Sequence, residues 1–117
     1  MPKLYFNKNN MIELLKKLFG IKPQVSLAEL VKEGAIILDV RTKGEFESGH
    51  IRGAVNIPLD KLHANMNKLK GKNKAIITCC ASGSRSATAK GVLTNNGFTN
   101  VHNGGSWYKL RSKINVY

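Results

Sequence analysis

Along the chain, short apolar runs alternate with stretches whose apolar residues recur at helical spacing. Ala35-Ile36-Ile37-Leu38-Asp39-Val40 is apolar almost throughout and carries a carboxylate near its end, the pattern of a central parallel strand covered on both faces. Ala75-Ile76-Ile77 is a second buried run, and Ala54-Val55-Asn56-Ile57, closed by Pro58, is a third. Pro23-Gln24-Val25 supplies a short first strand and Phe98 to Val101 a last one. Ser26-Leu27-Ala28-Glu29 is a capping box, starting a helix that runs to about Glu33 and stops at Gly34. Arg41 to Ser48 is polar and predicts a loop with a short helix. Leu59, Leu62, Met66 and Leu69 fall at helical spacing. Ser86 to Asn95 is a further helix, with Asn96-Gly97 as its left-handed cap, and a closing helix runs from Ser106 to about Arg111. Strands alternating with helices predict an α/β fold: a small, mostly parallel central sheet of about five strands with helices on both faces.

The first 23 residues break this rhythm. Met11, Leu14, Leu15, Leu18 and Phe19 lie at helical spacing, with Lys16 and Lys17 on the other side and Gly20 as a stop. This predicts a basic amphipathic helical extension over 1–23, a globular domain over 24–112 and a short tail over 113–117. Such a helix packs on its own domain, lies on a membrane surface or docks a partner.

The chain has 117 residues, enough for one core, with 42% hydrophobic and 22% charged residues. Its formal net charge of +12 would draw phosphate, sulfur oxyanions, acidic proteins or a membrane surface, without choosing among them. Nucleic-acid binding would rest on that bulk charge alone, since no aromatic-basic motif accompanies it. The two cysteines, Cys79 and Cys80, are adjacent and unsuited to close a loop by a disulfide. No Cys/His cluster has zinc spacing, so neither metal nor cofactor is expected. No apolar run spans a bilayer and no signal-peptide core is present, so a cytoplasmic protein is the expectation.

Chemistry concentrates in Ala75 to Ser86, AIITCCASGSRS. A strand that ends in a small-residue turn and feeds a helix N-terminus directs backbone N–H groups inward and adds the helix dipole. A cysteine there has its thiolate stabilised. The competing reading is a strand-turn-helix crossover holding two buried structural cysteines.

Three stretches together resemble the single-domain rhodanese, or thiosulfate sulfurtransferase-like, family. The first is Leu38-Asp39-Val40-Arg41 followed by Glu45-Phe46. The second is Phe46-x-x-x-His50-Ile51-x-Gly53-Ala54 leading to Asn56-Ile57-Pro58. The third is Cys80-Ala81-Ser82-Gly83-Ser84-Arg85-Ser86, with Gly97-Phe98 and Gly104-Gly105 after it. They cover about Val25 to Leu110. The chain departs from the family at Ala81, where relatives often carry arginine, and at Cys79, where an aromatic residue is common. Asn103-Gly104-Gly105-Ser106-Trp107 lacks the acidic residue that often precedes the glycines.

The resemblance implies that Cys80 takes a sulfane sulfur from thiosulfate, a persulfide or a polysulfide as a Cys80 persulfide, and passes it to a thiol or to cyanide. It implies a substrate cradle made by Ala81, Ser82, Gly83, Ser84, Arg85 and Ser86. Gly83 lets the backbone curl and Arg85 adds positive charge. Its partners would be a small anionic sulfur donor and a thiol acceptor, small or protein-borne. Two other classes compete. One is a persulfide carrier or docking module with little turnover. The other is a Cys-dependent phosphatase or arsenate reductase: counted from Cys79, five residues precede Arg85, a wider ring than the four counted from Cys80.

Among the remaining polar residues, Asp39 and Arg41 read as a buried supporting pair, which Glu45 shares, and His50 belongs to the family's central motif. His63 and His102 read as surface residues. Trp107 reads as a core aromatic or a residue of the pocket mouth, and Cys79 as a small core residue or a resolving thiol.

Overall fold

The computed structural model describes residues 25–69 and 71–114, and Leu14. Helix α1 spans Leu27–Lys32, strand β1 Ile36–Asp39, helix α2 Lys43–Glu47 and strand β2 Val55–Asn56. Two short 3-10 segments, Leu59–Lys61 and His63–Lys68, precede strand β3, Ile76–Cys80. Helix α3, Ser84–Asn95, strand β4, Val101–Ser106, and helix α4, Trp107–Ile114, complete the order.

The strands form one parallel sheet in the order β2-β1-β3-β4. β1 and β3 occupy its middle, which is why their sequences are apolar on both faces. Leu38, Val40, Ile76 and Cys80 point into a core with Leu62, Leu69, Ala89, Leu93 and Phe98. Ile37, Ile77 and Cys79 point the other way, to Ile51, Leu110 and Ile114, against which Leu27, Leu30, Val31 and Trp107 pack. Thus α3 and the 3-10 segments cover one face, and α1 and α4 the other.

Several expectations need correction. The sheet has four strands among the described residues rather than about five. Val25 lies outside any strand, and Pro23 and Gln24 fall outside the described residues. The last strand starts at Val101, where the expected one ends, and runs through Asn103-Gly104-Gly105. A polar, glycine-rich strand has no apolar alternation to reveal it. Gly104 is there because of space: a Cβ on it would lie 2.8 Å from Ile77 Cγ2 and Leu110 Cδ2 and 2.9 Å from the Thr78 carbonyl.

The helix expected over 59–69 is two 3-10 segments, with a non-helical Asn65 at φ −123° and ψ 17°. Leu62 and Leu69 still reach the core. At α1, Ser26 Oγ accepts the Glu29 N–H at 3.3 Å, the forward half of the expected capping box. The reciprocal box forms at α2 instead, between Thr42 and Glu45. α3 begins at Ser84, two residues before Ser86. The amphipathic helix expected over 1–23 falls outside the described residues, Leu14 excepted. Among the described residues no helix is long and apolar enough to cross a membrane.

Candidate active site

β3 carries Cys80 to the carboxyl edge of the sheet, the edge at which open parallel sheets present their ligand sites. The chain then turns through Ala81-Ser82-Gly83, and Gly83, at φ +105°, opens α3. That left-handed conformation is why a glycine stands there. The turn folds its own amides back onto the sulfur. Cys80 Sγ accepts the Gly83 N–H at 3.0 Å and the Ser86 N–H at 3.3 Å, and lies 3.5 Å from Ser86 Oγ. Cys80 is fully buried, and burial pushes its thiol up. The Ser86 hydroxyl and the N–H groups of Ser86, Gly83 and Ser82 more than offset this, and the net shift is downward.

Ser86 is buried at the centre of the ring. Thr78 Oγ1, on β3, donates to its carbonyl at 2.9 Å and pins the first turn of α3 to the strand. The Ser86 hydroxyl lies 2.9 Å from the Gly83 carbonyl and 2.7 Å from Asn103 Oδ1 on β4. Ala81, Ser82 and Ser84 are exposed on the outside of the loop.

Arg85 leaves the loop sideways. Its Nη1 and Nη2 donate to Glu45 Oε1 and Oε2 at 2.7 and 2.9 Å. The Glu45 carboxyl falls to about 2, chiefly through Arg85 and next through the Thr42 N–H. Glu45 therefore holds Arg85, and its carboxylate does not share the Asp39–Arg41 pair as expected from the sequence.

That pair is buried at the end of β1. Arg41 Nε lies 3.0 and 3.1 Å from the two Asp39 carboxylate oxygens, and Arg41 Nη2 donates to Oδ2 at 2.8 Å. The same guanidinium donates to the carbonyls of Glu45, at 3.2 Å, and Gly49, at 2.6 Å. It also lies 4.5 Å from the centre of the Trp107 ring. Arg41 thus fixes the backbone at Glu45, and Glu45 in turn fixes Arg85 beside the cysteine loop. His50 stays exposed, its ring stacked on Phe46 at 3.7 Å and its Nδ1–H donating to the Phe46 carbonyl at 2.7 Å.

Neighbouring residues of a strand face opposite ways, so the cysteine doublet is split between the two cores. Burial, and after it the Asp39 charge, push the Cys79 thiol up to about 12. Cys79 therefore stays a neutral core thiol, which removes the support for the wider ring counted from it and for a resolving role. His63 is exposed as expected, whereas His102 is half-buried and bonded to Asn100 Oδ1 at 2.7 Å. Burial, and then Lys90, pull the His102 imidazole down. Trp107 is half-buried between Arg41 and Arg111, against the second core. No cluster of His, Cys, Asp and Glu suited to a metal occurs among the described residues.

Beside the loop, Val40, Thr42, Pro58, Leu59, Asp60 and Arg85 line an open cavity of about 310 Å3. Sequence reasoning missed three contributors to the site: the Glu45 carboxylate as the partner of Arg85, Asn103 as the partner of Ser86, and Asn56. Asn56 Nδ2 donates to the carbonyls of Asp39 and Arg41, at 3.0 Å each, and fixes the turn out of β1. The only linear signal was an Asn within a short apolar strand.

A family model described as Rhodanese-like domain matches residues 23–111. The chain is 40% identical over 81 residues to the uncharacterized protein YqhL of Bacillus subtilis, covering 68% of this chain and 64% of that one. It is 33% identical over 69 residues to the thiosulfate sulfurtransferase PspE of Escherichia coli, covering 58% of this chain and 66% of that one. The chain thus spans slightly less than two thirds of these relatives. Among solved structures, the human single-domain sulfurtransferase TSTD1 superposes with a TM-score of 0.64 at 27% identity, covering 79% of this chain and 96% of that one.

Proposed function

The chain belongs to the rhodanese-like domain family, and from that premise we propose that it is a sulfurtransferase working through a persulfide on Cys80. The observation that carries this reading is the ring of Gly83 N–H, Ser86 N–H and Ser86 hydroxyl closing on Cys80 Sγ. Such a ring favours the thiolate and then a bound sulfur anion, and it makes a separate general base unnecessary. The Cys80 thiolate attacks the outer sulfur of thiosulfate or of a persulfide or polysulfide donor. A new S–S bond forms on Cys80 while the donor's breaks, and sulfite, or the donor thiolate, leaves with the electron pair. An acceptor thiolate next attacks the outer sulfur, and Cys80 leaves as thiolate. Electrons balance without an oxidant.

The donor meets Cys80 through Ala81, Ser82 and Ser84, whose side chains are small and exposed. The cavity beside Arg85 offers room for the body of a donor or acceptor. Mass spectrometry after exposure to thiosulfate or polysulfide tests the reading. The expected adduct is one sulfur on Cys80, removed by cyanide or a thiol, absent in Cys80→Ser and retained in Cys79→Ser. An adduct on Cys79 would sink it. A stable adduct that no acceptor discharges would leave a persulfide carrier instead.

A further inference from the structure

Among the described residues, Ser86 is the side chain that touches the Cys80 sulfur through a hydroxyl, and a hydroxyl carries a single proton. Three acceptors surround that proton: Asn103 Oδ1 at 2.7 Å, the Gly83 carbonyl at 2.9 Å and Cys80 Sγ at 3.5 Å. The Asn103 oxygen is the nearest, and its identity as oxygen is set from the other side, because it also accepts the Gly105 N–H at 2.9 Å. An amide NH2 turned there would face that donor. With Cys80 protonated, the chain of donors is complete: Cys80 S–H to Ser86 Oγ, Ser86 O–H to Asn103 Oδ1.

We propose that Asn103 is a positioning residue for Cys80: its side-chain oxygen claims the Ser86 hydroxyl proton and sets how readily Ser86 turns that proton to the sulfur. When Cys80 ionises, its proton goes to solvent and the Ser86 O–H swings from Asn103 to the thiolate. The bond gained is charge-assisted and the bond given up is neutral, so the swing is favourable but opposed by Asn103. Without the Asn103 oxygen, the more distant Gly83 carbonyl is the remaining protein acceptor that competes with the sulfur.

Other charges around Cys80 are already accounted for and unchanged by substitution at Asn103. Arg85 of α3 is bonded to Glu45 of α2, and Asp60 lines the cavity beside it. Asp39 is bonded to Arg41 at the end of β1. His102 of β4 is kept towards its neutral form by burial and Lys90.

This inference builds on Cys80 as the working thiol, so its test reads ionisation without requiring turnover. Ultraviolet thiolate absorbance is followed against pH, with Cys80→Ser as the blank that subtracts Cys79. Asn103→Ala is expected to lower the Cys80 midpoint by about 0.5 to 1 pH unit, the scale of one neutral hydrogen bond. The same substitution in a Ser86→Ala background is expected to shift nothing, which a merely structural role of Asn103 in β4 would not produce. Asn103→Ser, whose hydroxyl is too short to reach Ser86, serves should the alanine variant fail to fold. An unmoved midpoint in the single variant, or an equal shift with and without Ser86, overturns the proposal. If the shifts appear but no persulfide forms on Cys80, the assignment of Asn103 stands and the sulfurtransferase reading falls.

Discussion

Arg85 and Glu45, 40 residues apart in sequence, meet in a two-pronged ion pair of 2.7 and 2.9 Å. Arg85 is the only charged residue from Cys80 to Ser86, so this pair balances the loop's own cation. Both partners keep about a third of their side-chain surface exposed, at 34% and 37%. The loop therefore holds the sulfur by aligned amides, while Glu45 of α2 balances its single side-chain charge.

Glu45→Gln removes the negative partner and leaves Arg85 with one neutral hydrogen bond. Thiosulfate KM should fall about two- to fivefold, since a freed cation at this exposure is worth up to about 1 kcal/mol. Stability should drop by no more than that amount, read from urea unfolding. A KM that rises would mean that Arg85 needs Glu45 for its position more than it needs its charge. The Glu45 carboxyl sits at about 2 against an ordinary 4.5, so the pair's stabilisation is present above pH 4.5 and is lost as pH falls towards 2. In Glu45→Gln that part of the acid loss should be missing.

Ala81 is exposed on the outer side of the loop. Ala81→Arg should raise kcat/KM for the thiosulfate dianion by up to about tenfold at low salt, with the gain fading as ionic strength shortens the Debye length. Initial rates across a salt series check this. A gain unaffected by salt would point to contact rather than charge.

Cys79 is buried and titrates near 12 rather than its ordinary 9.0. Because the folded value is the higher one, its contribution is intact below pH 9 and is lost as pH rises towards 12. Between those limits the wild-type protein should lose about 1 kcal/mol per pH unit more than Cys79→Ala does. Urea midpoints for the two proteins at several alkaline pH values decide it. Parallel curves would show that Cys79 does not meet the burial described.

Gly104→Ala should cost about 1–3 kcal/mol, since the new methyl meets Ile77, Leu110 and the Thr78 carbonyl within 3 Å, and the carbonyl is backbone. Because Thr78 also holds the first turn of α3, the Cys80 midpoint should move together with the melting temperature. A variant as stable as the parent would contradict the packing of β4 on β3.

Much of this molecule was legible in one dimension. β1 and β3 showed as unbroken apolar runs because a central parallel strand is buried on both faces. Helix α3 and its left-handed entry at Gly83 followed from small residues placed directly after the strand. β4 did not show, because Asn103-Gly104-Gly105 has no apolar alternation, and Gly104 is buried by being small. The stretch over 59–69 has helical spacing yet forms 3-10 segments broken at Asn65, so spacing alone did not report the backbone.

The linear chain by itself determined that two cysteines end an apolar strand just before a small-residue turn and a helix, and it left open whether a ring of amides would close on either of them. It also determined the class of fold, through the alternation of apolar runs and helices. Only the tertiary structure decided which charges answer which. Glu45 reaches Arg85 from α2, and Asn103 reaches Ser86 from β4. The two cysteines part company because adjacent residues of β3 face different cores. Hydrogen bonds and ion pairs act over a few ångströms of space, and sequence distance carries no record of which side chains the sheet will bring that close.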